Sequence, residues 1–309
     1  MSKNLSDLAG RKGLAKNLFE ELGNAAQATG TPSQERMEAL REEFLVGKAN
    51  VFGAVSFYDF LKPENQGKKA YVCNGSACMT AGTQGDVKRK LLEHYSENEI
   101  GEMCCLGRCH ENSSFHVDGK NFSGKDIDAI ENIKKGIVTD PDHYHVGCAG
   151  TAVLTASYPT VTDYYKIFLD ALKRDPSALL EELKASGLRG RGGAGFSMAF
   201  KLDSCRQAAG DTKFIVCNAD EGDPGAYSDR YIMEQRPHAL LMGMLLAGYI
   251  CGAHHGVVYI RGEYPESVNT IADAIEVLRN QKLIGDNING SGFSFDFKLI
   301  KAQGAYICG

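Results

Sequence analysis

Phe293, Phe295, Phe297 and Leu299 alternate with Ser294, Asp296 and Lys298. That period of two predicts a half-buried strand near the end of the chain. Upstream, the apolar positions of residues 13–45 recur at helical spacing and predict two helices. Thr31-Pro32-Ser33-Gln34 should start the second, with Thr31 as cap, Pro32 in the first helical position and Gln34 completing a capping box. Residues 69–73 predict a strand that runs into a cysteine loop. Residues 87–95 predict a helix, Asp118-Gly119 a hairpin turn, and residues 127–135 a short helix. Further on, residues 161–174 and 176–186 are helical, with Asp175-Pro176 as a start and Gly187 as a stop. Residues 214–217 and 257–260 predict short buried strands, and residues 265–281 an amphipathic helix.

The polar, proline-containing stretch Thr139-Asp-Pro-Asp-His-Tyr-His145 reads as a linker. It divides the 309 residues into an α/β unit at 1–138, a connection at 139–150 and a second unit at 151–309. The most apolar run, residues 239–253, is shorter than the roughly 20 residues that span a bilayer, so a buried helix is expected and no membrane span. Met1-Ser-Lys-Asn-Leu-Ser-Asp7 lacks the apolar core of a secretory signal, which points to the reducing cytoplasm. A net charge of −5 argues against nucleic acid as a partner. Ten cysteines in a reducing compartment are metal ligands or packing residues rather than disulfides.

Cys73-Asn-Gly-Ser-Ala-Cys78 and Cys105-Leu-Gly-Arg-Cys109 each follow a predicted strand, so both loops fall at one end of a sheet. Two loops with two thiolates each match the four thiolates, two per iron, of a 2Fe–2S cluster. Zinc also takes four thiolates, although zinc knuckles favour C-x2-C. Simple burial is the third alternative. Cys105 rather than Cys104 keeps the C-x3-C spacing. Cys148, Cys205, Cys217, Cys251 and Cys308 are scattered singly and are expected to be packing residues.

Gly190, Gly192 and Gly195 form a G-x-G-x-x-G. It follows a helix, not a strand, so it is not the usual dinucleotide fingerprint. Its exposed N–H groups, the helix start near Ser197, and Arg189, Arg191 and Lys201 still suit an anion; the alternative is a tight helix–helix turn. Cys217-Asn-Ala-Asp-Glu-Gly-Asp-Pro-Gly225 leaves a strand at its carboxyl end, where open α/β sheets bind ligands; the alternative is a solvated acidic turn. Arg261-Gly-Glu-Tyr264 also follows a strand and is either part of that site or a surface charge pair.

Val51-Phe-Gly-Ala-Val-Ser-Phe-Tyr58, the C-x4-C loop and Cys105-Leu-Gly-Arg-Cys109-His110 make residues 13–136 resemble the 24-kDa, thioredoxin-like 2Fe–2S subunit of respiratory complex I. The glycine loop from Ser186 to Phe196, Lys201, Cys217-Asn-Ala-Asp-Glu-Gly222, Arg261-Gly-Glu-Tyr264 and Gly304-Ala-Tyr-Ile-Cys-Gly309 make residues 150–309 resemble its 51-kDa, FMN- and NADH-binding subunit. Both modules on one chain resemble the fused diaphorase subunits of NAD-linked hydrogenases and formate dehydrogenases.

The resemblance implies an α/β protein: N-terminal helices and a thioredoxin-like 2Fe–2S domain, then a Rossmann-like FMN domain. It implies hydride transfer from NADH to FMN and single electrons to iron–sulfur clusters, or the reverse, in a complex with other iron–sulfur subunits. A zinc- and nucleotide-binding regulatory module is the rival. By resemblance Cys73, Cys78, Cys105 and Cys109 hold the cluster. Gly190, Arg191, Gly192, Gly193, Gly195 and Lys201 hold phosphate, and Phe196 lies by the nicotinamide nucleotide. Asn218, Asp220, Glu221, Asp223, Tyr306 and Gly309 line FMN and NADH, Asp223 standing where the family has Glu. The family continues beyond this point with a Glu pair and a 4Fe–4S motif, so the expectation is a truncated chain that binds FMN weakly.

Overall fold

The computed structural model describes residues 16–27, 29–137, 146–158, 160–191, 193–210 and 212–304. The segment expected as linker at 139–145, and Cys308, lie outside the described residues.

Three helices come first: α1 (Leu18–Ala26), α2 (Gln34–Phe44) and α3 (Lys48–Phe57). They close on a small core of Leu22, Leu40, Val51, Val55 and Leu61. The α2 start differs from expectation. Ser33 is the cap, its hydroxyl accepting from the Arg36 N–H at 3.2 Å. Thr31 instead donates its hydroxyl to the Leu61 carbonyl, tying the turn to the core.

The first sheet has the order β2-β1-β3-β4, built from β1 (Ala70–Cys73), β2 (Ile100–Met103), β3 (Phe115–Val117) and β4 (Lys120–Phe122). β1 runs parallel to β2, with Cys73 opposite Met103, and antiparallel to β3. Asp118 and Gly119, both at positive φ, make the β3–β4 hairpin. Between β1 and β2 lie α4 (Ser76–Ala81) and α5 (Gln84–Leu91). The helix expected at 87–95 therefore starts three residues earlier and stops at Leu91. A 3-10 turn at Gly124–Ala129 leads into α6 (Ile130–Lys134). Val72, Leu91, Phe115, Val117 and Ile130 form this domain's core.

The second unit begins with α7 (Val161–Ala171) and α8 (Pro176–Ser186), the latter capped by Asp175 and ended by Gly187 in the left-handed region. α9 (Met198–Gln207) follows the glycine loop. A parallel sheet, order β5-β6-β7, is then built from β5 (Phe214–Ala219), β6 (His255–Ile260) and β7 (Asp296–Lys301). Helices α10 (Ser228–Gln235) and α11 (Pro237–Cys251) join β5 to β6, and α12 (Pro265–Asn280) joins β6 to β7. Val258, Ile260, Tyr264, Ile271, Phe295 and Phe297 pack between sheet and helices. β5 corrects one expectation. It is an edge strand and is not buried: Phe214 is 45% and Val216 62% exposed. An apolar run cannot by itself distinguish an edge strand from a central one. Among the described residues no helix is long and apolar enough to cross a membrane.

Candidate functional site

The two cysteine segments meet at the carboxyl ends of β1 and β2. Cys73 ends β1, and Cys78 sits on α4 rather than in a loop. Cys105 lies 3.4 Å from Cys109, sulfur to sulfur, and Cys73 and Cys78 are close enough for each to shift the other's titration. The four thiols thus form two pairs. In each pair the two thiols titrate apart: Cys78 and Cys105 are drawn down to about 6 by their partners, while Cys73 and Cys109 are pushed up. Backbone N–H groups surround the sulfurs. Gly75 donates to Cys73 at 3.4 Å, and the N–H groups of Gly107 and of Gly225 in the second unit lie near enough to favour the thiolates of Cys105 and Cys109. The loops touch: a Cβ on Gly75 would lie 3.0 Å from the Cys105 nitrogen. Cys104 is exposed, whereas Cys105 is 1% exposed. Among the described residues no three Cys, His, Asp or Glu side chains converge as a single-ion site requires.

The remaining cysteines correct the expectation of isolated packing residues in two places. Cys148 is exposed. Cys205 on α9 and Cys251 at the end of α11 are not isolated but neighbours, Cys251 donating to the Leu202 carbonyl at 3.4 Å.

The second unit grips the 105–109 loop. Arg230 Nη1 donates to the Gly107 carbonyl at 2.6 Å, and Arg261 Nη2 to the Cys105 carbonyl at 2.8 Å. Asn121 of β4 donates to the carbonyls of Leu106 and Glu263. Arg230 is fully buried, with Glu234 as its ion partner at 2.9 Å. None of these pairings is visible in sequence spacing; the Arg261-Gly-Glu-Tyr264 motif after a strand is the one signal available.

The acidic loop leaves β5 beside this contact. Asp220 is 2% exposed, its Oδ1 has no hydrogen-bond partner, and burial draws its carboxyl up to about 6. Glu221, the next residue, has its carboxylate engaged within the second unit. Its carboxylate accepts from Ser228 Oγ and from the N–H groups of Asp229 and Arg230, so it caps α10. Asn218 and Asp223 are exposed.

The glycine loop joins α8 to α9. Gly190 N–H donates to the Phe196 carbonyl at 2.8 Å, Arg189 to the Gly195 carbonyl at 2.9 Å, and Ser197 caps α9. Arg191, Gly193, Phe196 and Lys201 are exposed, and Gly193 and Gly195 have positive φ. Gly192, Tyr306 and Gly309 lie outside the described residues. A cavity of about 480 Å³ opens elsewhere, between α1, β3 and β7, where Tyr71, His116 and Lys301 line it.

Residues 8–137 match the family model of the thioredoxin-like 2Fe–2S ferredoxin, and residues 183–309 that of the Nuo51 FMN-binding domain. The chain joins a thioredoxin-like ferredoxin domain to a Nuo51 FMN-binding domain. The alpha subunit of the NAD-reducing hydrogenase HoxS of Cupriavidus necator is 32% identical over 82% of this chain and 47% of its own length. An NADH-quinone oxidoreductase subunit of Aquifex aeolicus is 41% identical over 47% of this chain and 34% of its own. A crystal structure of an NAD+-reducing NiFe-hydrogenase in the H2-reduced state superposes with a TM-score of 0.71 at 25% identity, over 94% of this chain and 52% of that one. The chain thus spans about half the length, or less, of these relatives.

The residues present fit the groups the two families are named for. In the ferredoxin domain, paired thiols ringed by N–H donors suit two irons bridged by sulfide better than one tetrahedral ion. In the FMN-binding domain, the buried Asp220 Oδ1 is an acceptor awaiting a donor.

Proposed function

We propose that this chain takes hydride from NADH onto FMN and passes single electrons to a 2Fe–2S cluster, or runs the same path in reverse. It would do so as one subunit of a multisubunit NAD-linked oxidoreductase with further iron–sulfur subunits. One observation carries this reading: Arg261 of the FMN-binding domain bridges the two loops, donating to the Cys105 carbonyl of the cysteine loop at 2.8 Å and to the Glu221 carbonyl of the acidic loop at 3.1 Å. Two redox groups held by these loops would be neighbours. Flavin accepts a hydride and releases electrons singly, which the protein supports by binding and orienting.

Under this proposal residues 1–138 form the ferredoxin unit, 139–150 the connection and 151–309 the flavin unit. Cys73, Cys78, Cys105 and Cys109 hold the cluster. Gly190, Arg191, Gly192, Gly193, Gly195 and Lys201 hold phosphate, and Phe196 lies against the nicotinamide. Asn218, Asp220, Asp223, Tyr306 and Gly309 line the flavin and NADH. Glu221 contributes by shaping the loop, since its carboxylate caps α10. Free thiols of this kind, outside any disulfide, suit a reducing cytoplasm.

The test is anaerobic purification with analysis of iron, zinc and flavin, followed by NADH. The expected result is about two irons per chain, bound or readily taken-up FMN, and bleaching of the visible spectrum by NADH. Zinc in place of iron with no spectral response to NADH would replace this reading with a regulatory, nucleotide-sensing module.

A further inference from the structure

Arg261 is the first residue beyond β6, at the carboxyl edge of the parallel sheet, and is 4% exposed. Its guanidinium serves both domains. Nη2 donates to the Cys105 carbonyl at 2.8 Å and to the Glu263 carboxylate at 3.0 Å; Nη1 donates to the Glu221 carbonyl at 3.1 Å. Its charge also favours the thiolate of Cys105. Tyr264 lies under the guanidinium at 4.9 Å and adds its hydroxyl to the Glu221 carbonyl.

The two residues whose carbonyls it takes share a rare feature. Cys105 has φ 34° and Glu221 φ 39°, both in the left-handed region where residues other than glycine are strained. One buried cation therefore holds two strained peptides, one carrying a cluster thiol and one opening the acidic loop. Glu263, 2% exposed, is the only carboxylate in its ion pairs among the described residues, and its Oε2 has no hydrogen-bond partner.

We propose that Arg261 and Glu263 set the reduction potential of the cluster, Arg261 acting as a positioning residue through Cys105 and Glu221. The inference rests on the cofactor reading above. One electron added to the cluster increases its negative charge, no bond forming or breaking. A contacting cation stabilises that reduced state and raises the potential; a contacting anion lowers it. The two side chains therefore pull in opposite directions.

The experiment is a dithionite titration of the full chain, purified anaerobically, with the reduced cluster followed by electron paramagnetic resonance. Arg261→Gln should shift the midpoint down and Glu263→Gln should shift it up. Arg261→Lys should fall by less than Arg261→Gln, because it keeps the charge. If Arg261→Gln fails to hold iron, the Glu263→Gln and Arg261→Lys midpoints decide. An intact cluster with the same midpoint in every variant overturns the inference alone. An unsubstituted chain with no such signal overturns the cofactor reading, and the inference falls with it.

Discussion

Gly107 lies flush against the ring of Tyr264, so closely that a Cβ at 107 would overlap the ring edge. The contact crosses from the ferredoxin domain to the FMN-binding domain, and Gly107 adopts φ 77° to make it. Gly107→Ala meets both the overlap and the unfavourable φ. It should destabilise the chain by about 1–3 kcal/mol. Thermal unfolding would show this, and limited proteolysis should show the 104–110 loop cut first. Tyr264→Leu, introduced alongside, should recover part of the loss.

Serine at Cys73, Cys78, Cys105 or Cys109 should each abolish most of the bound iron, since a hydroxyl replaces a thiolate ligand poorly. Serine at the exposed Cys104 and alanine at Cys251 should leave iron content unchanged. Iron per chain and visible absorbance measure this. Iron lost from the Cys104 variant and kept by the Cys105 variant would reverse the ligand assignment.

Asp220 gives a pH signature. Burial draws its carboxyl up to about 6, above its ordinary value, so the folded chain holds this proton more tightly than the unfolded one. Stability from this group is complete at low pH and lost as pH rises towards 6. In the flavin-free chain, Asp220→Asn should therefore be equal to the parent below about pH 4 and more stable by on the order of 2 kcal/mol at pH 7. Unfolding midpoints across that range check the slope. A constant difference at all pH values would place the effect on packing instead.

Gly193 sits at φ 104° with open space where a Cβ would point. Gly193→Val should leave the packed core intact while filling the space a phosphate needs. FMN or NADH affinity should fall at least about tenfold, a loss of about 1.4 kcal/mol. Asp220→Ala should also lower FMN affinity, through the lost acceptor. Equilibrium titration with each nucleotide separates the two, and unchanged affinities in both variants would discard these residues as the site.

Much of the fold is legible from residue pattern alone. Alternation from Phe293 to Leu299 gives β7, Asp175-Pro176 and Gly187 bracket α8, and Asp118-Gly119 turns the hairpin. The cysteine pairs stand where their spacing after strands puts them. What escapes is set by tertiary structure. α3 has apolar side chains on all faces, Val51 and Val55 buried but Phe52 and Phe57 exposed, so no amphipathic stripe announces it. β5 reads as a buried strand because hydrophobicity cannot report that it lies at an edge. Glu221 caps a helix that begins seven residues later, a role that its neighbours in sequence do not announce. Arg230 and Arg261 reach residues 123 and 156 positions away, and no local pattern encodes such a pairing.

The N–H of Gly225, from one domain, lies near enough to the Cys109 sulfur of the other to favour its thiolate, and this has a thermodynamic corollary. A metal that draws the Cys109 thiolate into place also fixes the end of the acidic loop, and a ligand that orders that loop presents the N–H to the sulfur. Linkage makes such assistance reciprocal. FMN added to the chain should slow the removal of iron by a chelator, and iron loading should tighten FMN by the same equilibrium factor. Occupancy of either domain then becomes a form of protection for the other.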